Sequence, residues 1–313
     1  MNGFNRTVIG KQAAELGFIR DTFEKVCRLA GFLTLFERDP VLSQYLALKG
    51  GTAINMIFYQ NMPRLSVDID FDFAENLSLD EISAIRDAIR KSIRQYATMN
   101  DYVLGEKSKS HHTLDSDLFK YTNSGGVRDN IKIEINYSLR SHILPMKRRP
   151  IETLGIFSSA TVLVLDPVEI FASKISALLT RTAARDVYDV NNMILNELFN
   201  KEQTLLLKKC LVFYISIGTD DAPEEFNFAK LDGLKYHDIK MRLIPMLRKK
   251  DSFDINIARD RIKNYLSELL QFTEEEREFL SQFRNGQYKP ELLFTGDMLE
   301  RVQNHPMALW KCK

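Results

Sequence analysis

The spacing of hydrophobic residues predicts both helices and strands in the N-terminal half of the chain. From Lys11 to about Leu48, apolar residues recur three or four positions apart, which indicates one or two helices. TAINMIFY, directly after two glycines, predicts a short helix, and residues 79–99 predict an amphipathic one. Between them, SVDIDFDF alternates polar and apolar residues with period two, as a half-buried strand does.

Further strands follow, and then the pattern becomes helical. DYVLGEK, DLFKYTN and NIKIEINYSL predict strands, with NSGGVRDN as a hairpin-type connection. After TVLVL, Asp166 suits the N-cap of a helix, Pro167 its first position and Glu169 the third position after the cap. Helical spacing continues through the segments 200–216, 235–250, 257–271 and 273–286. We therefore predict a sheet-containing domain over residues 1–158 and a mainly helical domain over residues 159–313.

Composition excludes several classes of protein. With 313 residues, 44% of them hydrophobic, the chain is long enough for one large or two ordinary domains. Its three cysteines include no CxxC pair, so neither a disulfide framework nor a zinc site is expected, and a reducing cytoplasm is indicated. The N-terminus lacks the order of a signal peptide, and no apolar run approaches the ~20 residues that span a bilayer. We expect a cytoplasmic protein that does not enter the membrane.

The overall charge gives no indication of a nucleic-acid partner. The 43 Lys and Arg residues balance 42 Asp and Glu, and the formal net charge is +1. Any RNA contact must therefore come from local patches, of which KSKSHH at 107–112 and MKRRP at 146–150 are candidates. Short basic runs are also common in solvated loops, so both explanations stay open.

Three carboxylates are crowded onto one side of the predicted strand SVDIDFDF. Residues two apart share a face of a strand, so Asp68, Asp70 and Asp72 point the same way. In IKIEINY, Glu134 lies on the polar face of a second strand. Two carboxylates ~4 Å apart repel by about 4 kcal/mol at an effective dielectric of 20, so a tight acidic cluster needs a cation or a shifted pKa. Hard oxygen ligands of this kind suit Mg²⁺.

The aspartates also have an ordinary explanation, because alternating charges keep an edge strand soluble. The preceding residues favour a site instead. Gly50 and Gly51 directly precede a predicted helix, where small residues let backbone N–H groups approach an anion, although a lone Gly-Gly also fits an ordinary turn. Gly-Gly-Thr before a helix, an aspartate pair on the next strand and a third acid on a later strand together indicate a site for a nucleoside triphosphate and Mg²⁺.

These residues also carry a resemblance to a known family. The pattern hG[GS] followed by Dx[DE] is typical of the nucleotidyltransferase superfamily related to DNA polymerase β. KGGTAINMIFYQNMPRLSVDIDFDF resembles the AbiEii/AbiGii abortive-infection toxins, the toxin half of bacterial type IV toxin–antitoxin pairs. KISALLTRTAARDVYDV, YKPELLF and NHPMALWK are similar to later parts of that family, so the resemblance covers nearly the whole chain. The sixteen residues between Gly51 and Asp68 exceed the usual gap, which leaves the conformation of that loop open.

The resemblance implies an α+β fold, in which a polymerase β-like nucleotidyltransferase domain with a mixed sheet precedes a mainly helical C-terminal domain. It implies three metal ligands, which are Asp68, Asp70 and Glu134. It further implies residues that hold the β and γ phosphates, which are Gly50, Gly51 and Thr52. The C-terminal domain would contribute Lys174, which contacts the triphosphate, and Asp189, for which orienting Lys174 or the base is a hypothesis.

Two arginines join these predicted phosphate-binding residues under one condition. If residues 174–185 form one helix, offsets of seven and eleven fall within ~20° of one direction, so Lys174, Arg181 and Arg185 form a basic stripe that suits a polyphosphate. The alternative is a break at TAARD, with Asp186 orienting Arg185 or capping a second helix.

Two further residues carry predictions about packing. Asp72 has no counterpart in the family motif, so we expect it at the surface or beside the site. Trp310, the only tryptophan, is expected to anchor the C-terminus by burial, because a large ring is most useful in packing.

The resemblance implies an enzyme that moves a nucleoside monophosphate from an NTP, with Mg²⁺, to a hydroxyl acceptor. In relatives the acceptor is implied to be RNA, in particular the 3′ end of tRNA, and a cognate antitoxin is implied with or without a stable complex. Two alternatives stay open. The same site would serve a protein hydroxyl or a small molecule as acceptor, or the chain would be a nucleotide-binding module without chemistry, against which the intact acids and Lys174 argue.

Overall fold

The computed structural model of the chain describes residues 4–218 and 227–313. The chain divides into two compact units. The first comprises Met1–Arg140, Met146–Val164 and Pro245–Asp251, and the second comprises Ser141–Pro145, Leu165–Ile244 and Ser252–Lys313. Compared with a single cut after residue 158, the first unit therefore also includes residues 159–164 and 245–251, and the second includes residues 141–145.

One mixed sheet of eight strands forms the centre of the first unit. The strands are β1 Leu46–Lys49, β2 Asp68–Phe73, β3 Val103–Leu104, β4 Lys109–His111, β5 Leu114–Thr122, β6 Arg128–Asn136, β7 Lys147–Pro150 and β8 Thr161–Val164. Their order is β3-β5-β6-β2-β1-β8-β7, and β4 also pairs with β5. Because β2 runs parallel to β6 and antiparallel to β1, the predicted mixed sheet and α+β class are confirmed.

Helices cover one face of this sheet. The helices of the first unit are α1 Arg6–Leu16, α2 Arg20–Arg38, α3 Pro40–Tyr45, α4 Gly50–Ala53, which continues as the π-helical turn Ile54–Phe58, and α5 Leu79–Met99. Phe36 of α2 stacks on Phe71 of β2, with ring centroids 4.4 Å apart. The apolar residues of β2 therefore face α2, and the aspartates of β2 face the other way.

Helix α5 begins and ends where the amphipathic pattern predicts. Ser78 is its N-cap, and Glu81 completes a capping box with it. Ile82, Ile89 and Ile93 form its buried stripe. The prediction of a helix over residues 79–99 is confirmed.

The strand β1 lies where the pattern predicts the end of a helix. Leu46, Ala47 and Leu48 are all buried, because β1 lies between β2 and β8. A strand buried on both faces has no alternation of polar and apolar residues to distinguish it from a helix, so the helix prediction is wrong here. The central position of β2, between β1 and β6, likewise contradicts the edge-strand explanation for its aspartates.

The second unit contains helices and no strand among the residues that the structure describes. Its helices are α6 Pro167–Thr180, α7 Ala184–Leu195, α8 Lys201–Gly218, α9 Ala229–Asp232, α10 Tyr236–Arg242, α11 Ile255–Leu269, α12 Glu274–Arg284, α13 Gly296–Val302 and α14 Pro306–Lys311, with short 3₁₀ turns at Ile244–Met246 and Pro290–Leu292. Asp166 caps α6 as predicted, accepting a hydrogen bond from the Val168 N–H at 3.0 Å.

Glu169 is used for packing inside the second unit. Its buried carboxylate accepts hydrogen bonds from the backbone N–H groups of Ile143 and Leu144, both at 3.0 Å, and from the Tyr214 hydroxyl at 2.5 Å. Burial opposes ionisation of Glu169, but its hydrogen bonds and the neighbouring His142 outweigh burial and lower its pKa. The carboxylate thereby joins the segment 141–145 to α6 and α8.

The C-terminal helix is held by residues other than the tryptophan. Trp310 is 66% exposed, so the prediction that it anchors the C-terminus by burial is wrong. His305 and Ala308 are fully buried instead, and the His305 ring lies edge-on to Phe213 with centroids 5.0 Å apart. A helix of six residues buries only one narrow side, and here that side excludes Trp310.

None of the helices in the described parts of the chain has the length and apolar character to cross a bilayer.

Candidate active site

The glycine pair at the end of β1 forms a turn that lies directly on Asp70. Gly50 has a φ of +68°, and a Cβ atom added to it would lie 2.5 Å from Asp70 Oδ2. A Cβ atom at Gly51 would lie 2.7 Å from Nη2 of the buried Arg64 guanidinium. Position 50 therefore requires glycine for its backbone conformation and close approach, whereas a side chain at position 51 would have to displace the Arg64 guanidinium.

The Thr52 side chain connects the start of α4 to β2 by a hydrogen bond. Its buried hydroxyl donates to the backbone oxygen of Asp68 at 2.5 Å and lies 3.1 Å from Ser66 Oγ. Because the hydroxyl is used inside the protein, the group that Thr52 can offer to a phosphate is its backbone N–H in the first turn of α4.

Strand pairing brings the predicted acids onto one face of the sheet. In the parallel pair of β2 and β6, Asp70 is opposite Glu134 and Asp68 is opposite Lys132. Burial raises the pKa of Asp70 to about 6; Lys49 and Lys132 oppose this rise, whereas the charges of Asp68 and Glu134 add to it. Burial therefore disfavours the ionised form of Asp70 more than the two lysines favour it.

Two lysines that the sequence did not single out belong to this face. Lys49 lies opposite Asp70 in the pairing of β1 with β2, and its Nζ is 2.5 Å from Oδ1 of Asp72. Asp72 is only 1% exposed, so the surface alternative for it is wrong and it lies beside the site as the partner of Lys49. Lys132 Nζ is 2.6 Å from Glu134 Oε2. The available signal was positional: Lys49 directly precedes the glycines, and Lys132 lies two residues before Glu134 on the same face.

The donor set fits a magnesium ion that is shared with a nucleotide. Across the described residues, no three His, Cys, Asp or Glu side chains form a group that could hold a metal ion alone. Magnesium in nucleotide sites, however, is bound by one or two carboxylates together with phosphate oxygens and water. Asp68 and Asp70 are carboxylates of this kind, and burial, together with the charges of Asp68 and Glu134, raises the pKa of Asp70. Their role as metal ligands, and that of Glu134, stays a prediction.

In the second unit, Lys174 of α6 is held by two carboxylates of α7. Its Nζ lies 2.9 Å from Asp186 Oδ1 and 2.9 Å from Asp189 Oδ2. Asp189 is 1% exposed, so its position is determined by packing on all sides. The structure therefore brings Lys174 and Asp189 into direct contact and adds Asp186 to them.

The continuous basic stripe is absent, because α6 ends at Thr180 and α7 begins at Ala184. Thr182 between them has a φ of +46°, so the alternative of a break at TAARD is correct. Arg181 lies beyond the end of α6 with its side chain 71% exposed, and its Nη2 is 3.6 Å from Asp186 Oδ2. Arg185 lies half-buried in the first turn of α7. The break directs the acids of α7 back toward Lys174.

Comparison with known proteins shows to which family the chain belongs. A model of the AbiEii family, described as nucleotidyl transferase toxins of type IV toxin–antitoxin systems, matches residues 34–286. The chain belongs to the AbiEii family. MenT4, a nucleotidyltransferase toxin from Mycobacterium tuberculosis H37Rv, has a similar structure: the TM-score is 0.66 at 15% identity, over 98% of this chain and 99% of that one. At such low identity the likeness concerns the fold alone. Comparison with curated proteins gives no match.

Membership of the AbiEii family establishes the class of activity. The chain is a nucleotidyltransferase enzyme and the toxin of a type IV toxin–antitoxin system. The prediction of an enzyme is confirmed, and the family implies an NTP as substrate and an antitoxin as counterpart. Enzymes of this class generally use a divalent metal.

Proposed function

We propose that this AbiEii toxin transfers a nucleoside monophosphate from an NTP to a hydroxyl of an RNA acceptor, the 3′ end of tRNA, with Mg²⁺ and release of pyrophosphate. The observation that carries the proposal is the contact of the Gly50 turn with Asp70, because a phosphate-binding turn and a carboxylate cluster then meet at one place. Nucleotides added to the 3′ end of tRNA would prevent aminoacylation and stop translation.

In this proposal the first unit binds the reacting phosphates. Asp68 and Asp70 hold the magnesium, which when bound neutralises triphosphate charge and lowers the pKa of the attacking hydroxyl. Backbone N–H groups of Gly50, Gly51 and Thr52 bind the β and γ phosphates. Positioning and electrostatic stabilisation provide most of the rate in phosphoryl transfer, so this division of roles suits the rigid turn between Asp70 and Arg64.

Glu134 serves as the third acid, on the side of the attacking hydroxyl. Its place opposite Asp70 in the strand pairing supports this role, and Lys132 at 2.6 Å keeps its carboxylate on the polar face. A carboxylate in that position accepts a hydrogen bond from the acceptor hydroxyl and orients it for attack.

Lys174 binds the triphosphate, and Asp189 orients the Lys174 side chain. Two carboxylates at 2.9 Å hold the Lys174 ammonium in one place, which lowers the entropy that a free lysine would lose on binding phosphate. Arg181 and Arg185 remain proposed as secondary phosphate contacts.

The test of the acceptor is transfer of label. Purified toxin is incubated with each of the four NTPs labelled at the α-phosphate, Mg²⁺ and total tRNA. We expect label in tRNA with at least one nucleotide, and loss of transfer when periodate has oxidised the 3′-terminal diol. Asp70→Asn serves as the inactive enzyme, and Glu106→Gln, at a 96% exposed side chain, as the matched control.

Two outcomes would contradict the proposal. Transfer to no RNA with any nucleotide would reject the RNA acceptor. Label in a protein or a small molecule, with none in RNA, would establish the second acceptor class on the same site, since family membership concerns the nucleotidyltransferase activity and not the acceptor.

The antitoxin is proposed to be encoded beside the toxin. Co-expression of the adjacent gene should restore growth whether or not the two proteins co-purify. Absence of any rescuing neighbour would remove this part of the proposal.

A further inference from the structure

The edge strand β7 carries three consecutive cations, Lys147, Arg148 and Arg149. Lys147 and Arg148 are exposed, and Arg149 is half-buried. Within the residues that the structure describes, none of the three forms an ion pair: Arg148 donates to the backbone oxygen of Ser43 at 2.9 Å, and Arg149 lies over the Phe58 ring. Their positive charge is therefore not neutralised by the protein.

This strand belongs to the same sheet as the carboxylate cluster. Arg148 pairs with Leu163, Leu48 with Val164, and Lys49 with Asp70, so Arg148 lies on the face that carries Asp70, and its neighbours Lys147 and Arg149 lie on the opposite face of this edge strand. Three strand spacings separate β7 from β2, a distance of about 14 Å.

A second contact connects β7 to the glycine turn. The Arg149 guanidinium is 5.7 Å from the centroid of Phe58, and Phe58 ends the helical segment that begins at Gly50. The basic edge is thus connected to the phosphate-binding turn through the sheet and through this segment.

We propose that β7 binds the phosphate backbone of the acceptor RNA and so orients its 3′ end toward Asp68 and Asp70. The inference rests on the proposed function and deepens it by naming the surface that holds the acceptor. Lysine and arginine bind phosphates without regard to sequence, and most of the Arg148 donors remain available beside its one hydrogen bond. A local surface of this kind is what a chain with a net charge of +1 needs in order to bind RNA.

The second basic run, at residues 107–112, is less suited to this role. Lys107 and Lys109 are exposed at the opposite edge of the sheet, but Glu106 lies beside them and within 3.9 Å of Lys120. That edge adjoins β5 and β6, whereas β7 reaches β1 and its glycine turn through β8.

Lysine and proline at a sheet edge also have an ordinary purpose, because they prevent pairing with the edge of another molecule. Reversing the charge of Lys147 and Arg148 distinguishes protection of the edge from binding of phosphate. Glutamate protects an edge as well as lysine does, but it repels phosphate. Lys147→Glu/Arg148→Glu therefore keeps a charged edge and removes the affinity for RNA. It also loses the hydrogen bond from Arg148 to Ser43, which the corresponding alanine variant loses as well.

The experiment measures KM for tRNA, KM for the NTP and kcat for this double variant. We expect KM for tRNA to rise about tenfold or more, and kcat and KM for the NTP to stay within about twofold. The slope of log affinity against log salt for tRNA binding should become shallower by about 1.4 for two lost contacts with single-stranded phosphates. Arg148→Lys keeps the charge and should behave as the wild type.

The matched control is Arg6→Glu/Lys11→Glu, which makes the same change of charge at exposed positions of α1. Lys147→Ala/Arg148→Ala should show a smaller effect in the same direction, with an unchanged melting temperature.

The inference is wrong if the β7 variant and the α1 control have the same KM for tRNA. It is also wrong if Lys107→Glu/Lys109→Glu raises the KM for tRNA and the β7 variant does not. A β7 variant that keeps its KM for tRNA but is no longer inhibited by the antitoxin would contradict it as well. If the wild-type enzyme labels no RNA, both the proposed function and this inference are wrong. In the outcomes above, the wild type does label RNA, and only the inference fails.

Discussion

Carboxylates occupy both faces of the central sheet, and the protein surrounds them differently. On the face toward α5, Asp115 Oδ1 lies 2.6 Å from Arg86 Nη2 and 2.7 Å from Arg90 Nη2. Asp117 Oδ2 on the same strand lies 3.0 Å from Arg94 Nε. The three arginines are four residues apart on α5, so one helix face supplies all of them. On the opposite face, Lys49 pairs with Asp72 of β2, and Lys132 pairs with Glu134 of β6.

The consequence appears in the ionisation of the two groups. Burial disfavours the charged form of Asp115, but hydrogen bonds from Arg86, Arg90 and Ser110 outweigh burial and hold its pKa well below the usual range. For Asp70, burial dominates and the pKa rises to about 6. A carboxylate paired with arginines is part of the scaffold, whereas a buried carboxylate with a raised pKa, beside other acids, is a candidate for a functional site.

The largest expected effect is the loss of transfer in Asp70→Asn. We expect kcat/KM to fall roughly 10³-fold, or about 4 kcal/mol, because a proposed metal ligand is lost. The melting temperature should stay at or above that of the wild type, since a charge that burial disfavours is removed. Glu106→Gln should change neither quantity. A stable Asp70→Asn variant with full transfer would contradict the comparison between the two faces.

Asp115→Asn should lower stability and leave the kinetics of the folded enzyme unchanged, the reverse of Asp70→Asn. The free energy of unfolding should fall by about 3 kcal/mol, because the buried guanidinium of Arg86 loses its charged partner and keeps only neutral acceptors such as the His112 carbonyl. Folded enzyme that remains should keep its KM for the NTP. Chemical denaturation gives the first quantity and steady-state kinetics the second. Unchanged stability would show that the α5 arginines do not need this acid.

Asp189→Asn should lower kcat/KM by about 10²-fold, because Lys174 loses one of the two carboxylates that fix its position. Asp186→Asn should have a smaller effect, since Asp186 also lies near the exposed Arg181 and is less deeply buried. Steady-state kinetics with varied NTP measures both. If Asp189→Asn leaves turnover unchanged, the orienting role of Asp189 is wrong.

The smallest effect is a dependence of stability on pH. The folded pKa of Asp115 is lowered, so its stabilisation is fully present above the unfolded pKa of about 3.9 and is lost as pH falls toward the folded pKa. The stability difference between the wild type and Asp115→Asn should therefore be constant from pH 7 to pH 5 and shrink below about pH 4. Denaturation curves at these values measure it. A difference that grew on acidification would reverse the sign and contradict the pairing.

Local patterns predicted the elements that carry polar residues on one side and apolar residues on the other. Helix α5 has a polar side and a capping box, and β2 alternates acids with apolar residues, so each showed its period in the sequence. β1 is buried on both faces and showed none. Trp310 was assigned to packing by its residue type, and the short helix α14 exposes it.

The sequence by itself determined the kind of site, because a glycine pair, alternating aspartates and a later acid are chemical requirements that one stretch of chain can display. Only the tertiary structure decided the neutralising partners. Lys49 meets Asp72, and Lys174 meets the acids of α7, through strand pairing and through a break between helices. Those contacts join residues that are distant along the chain or separated by a break between helices. Local periodicity does not show which charged residue will lie beside another after folding.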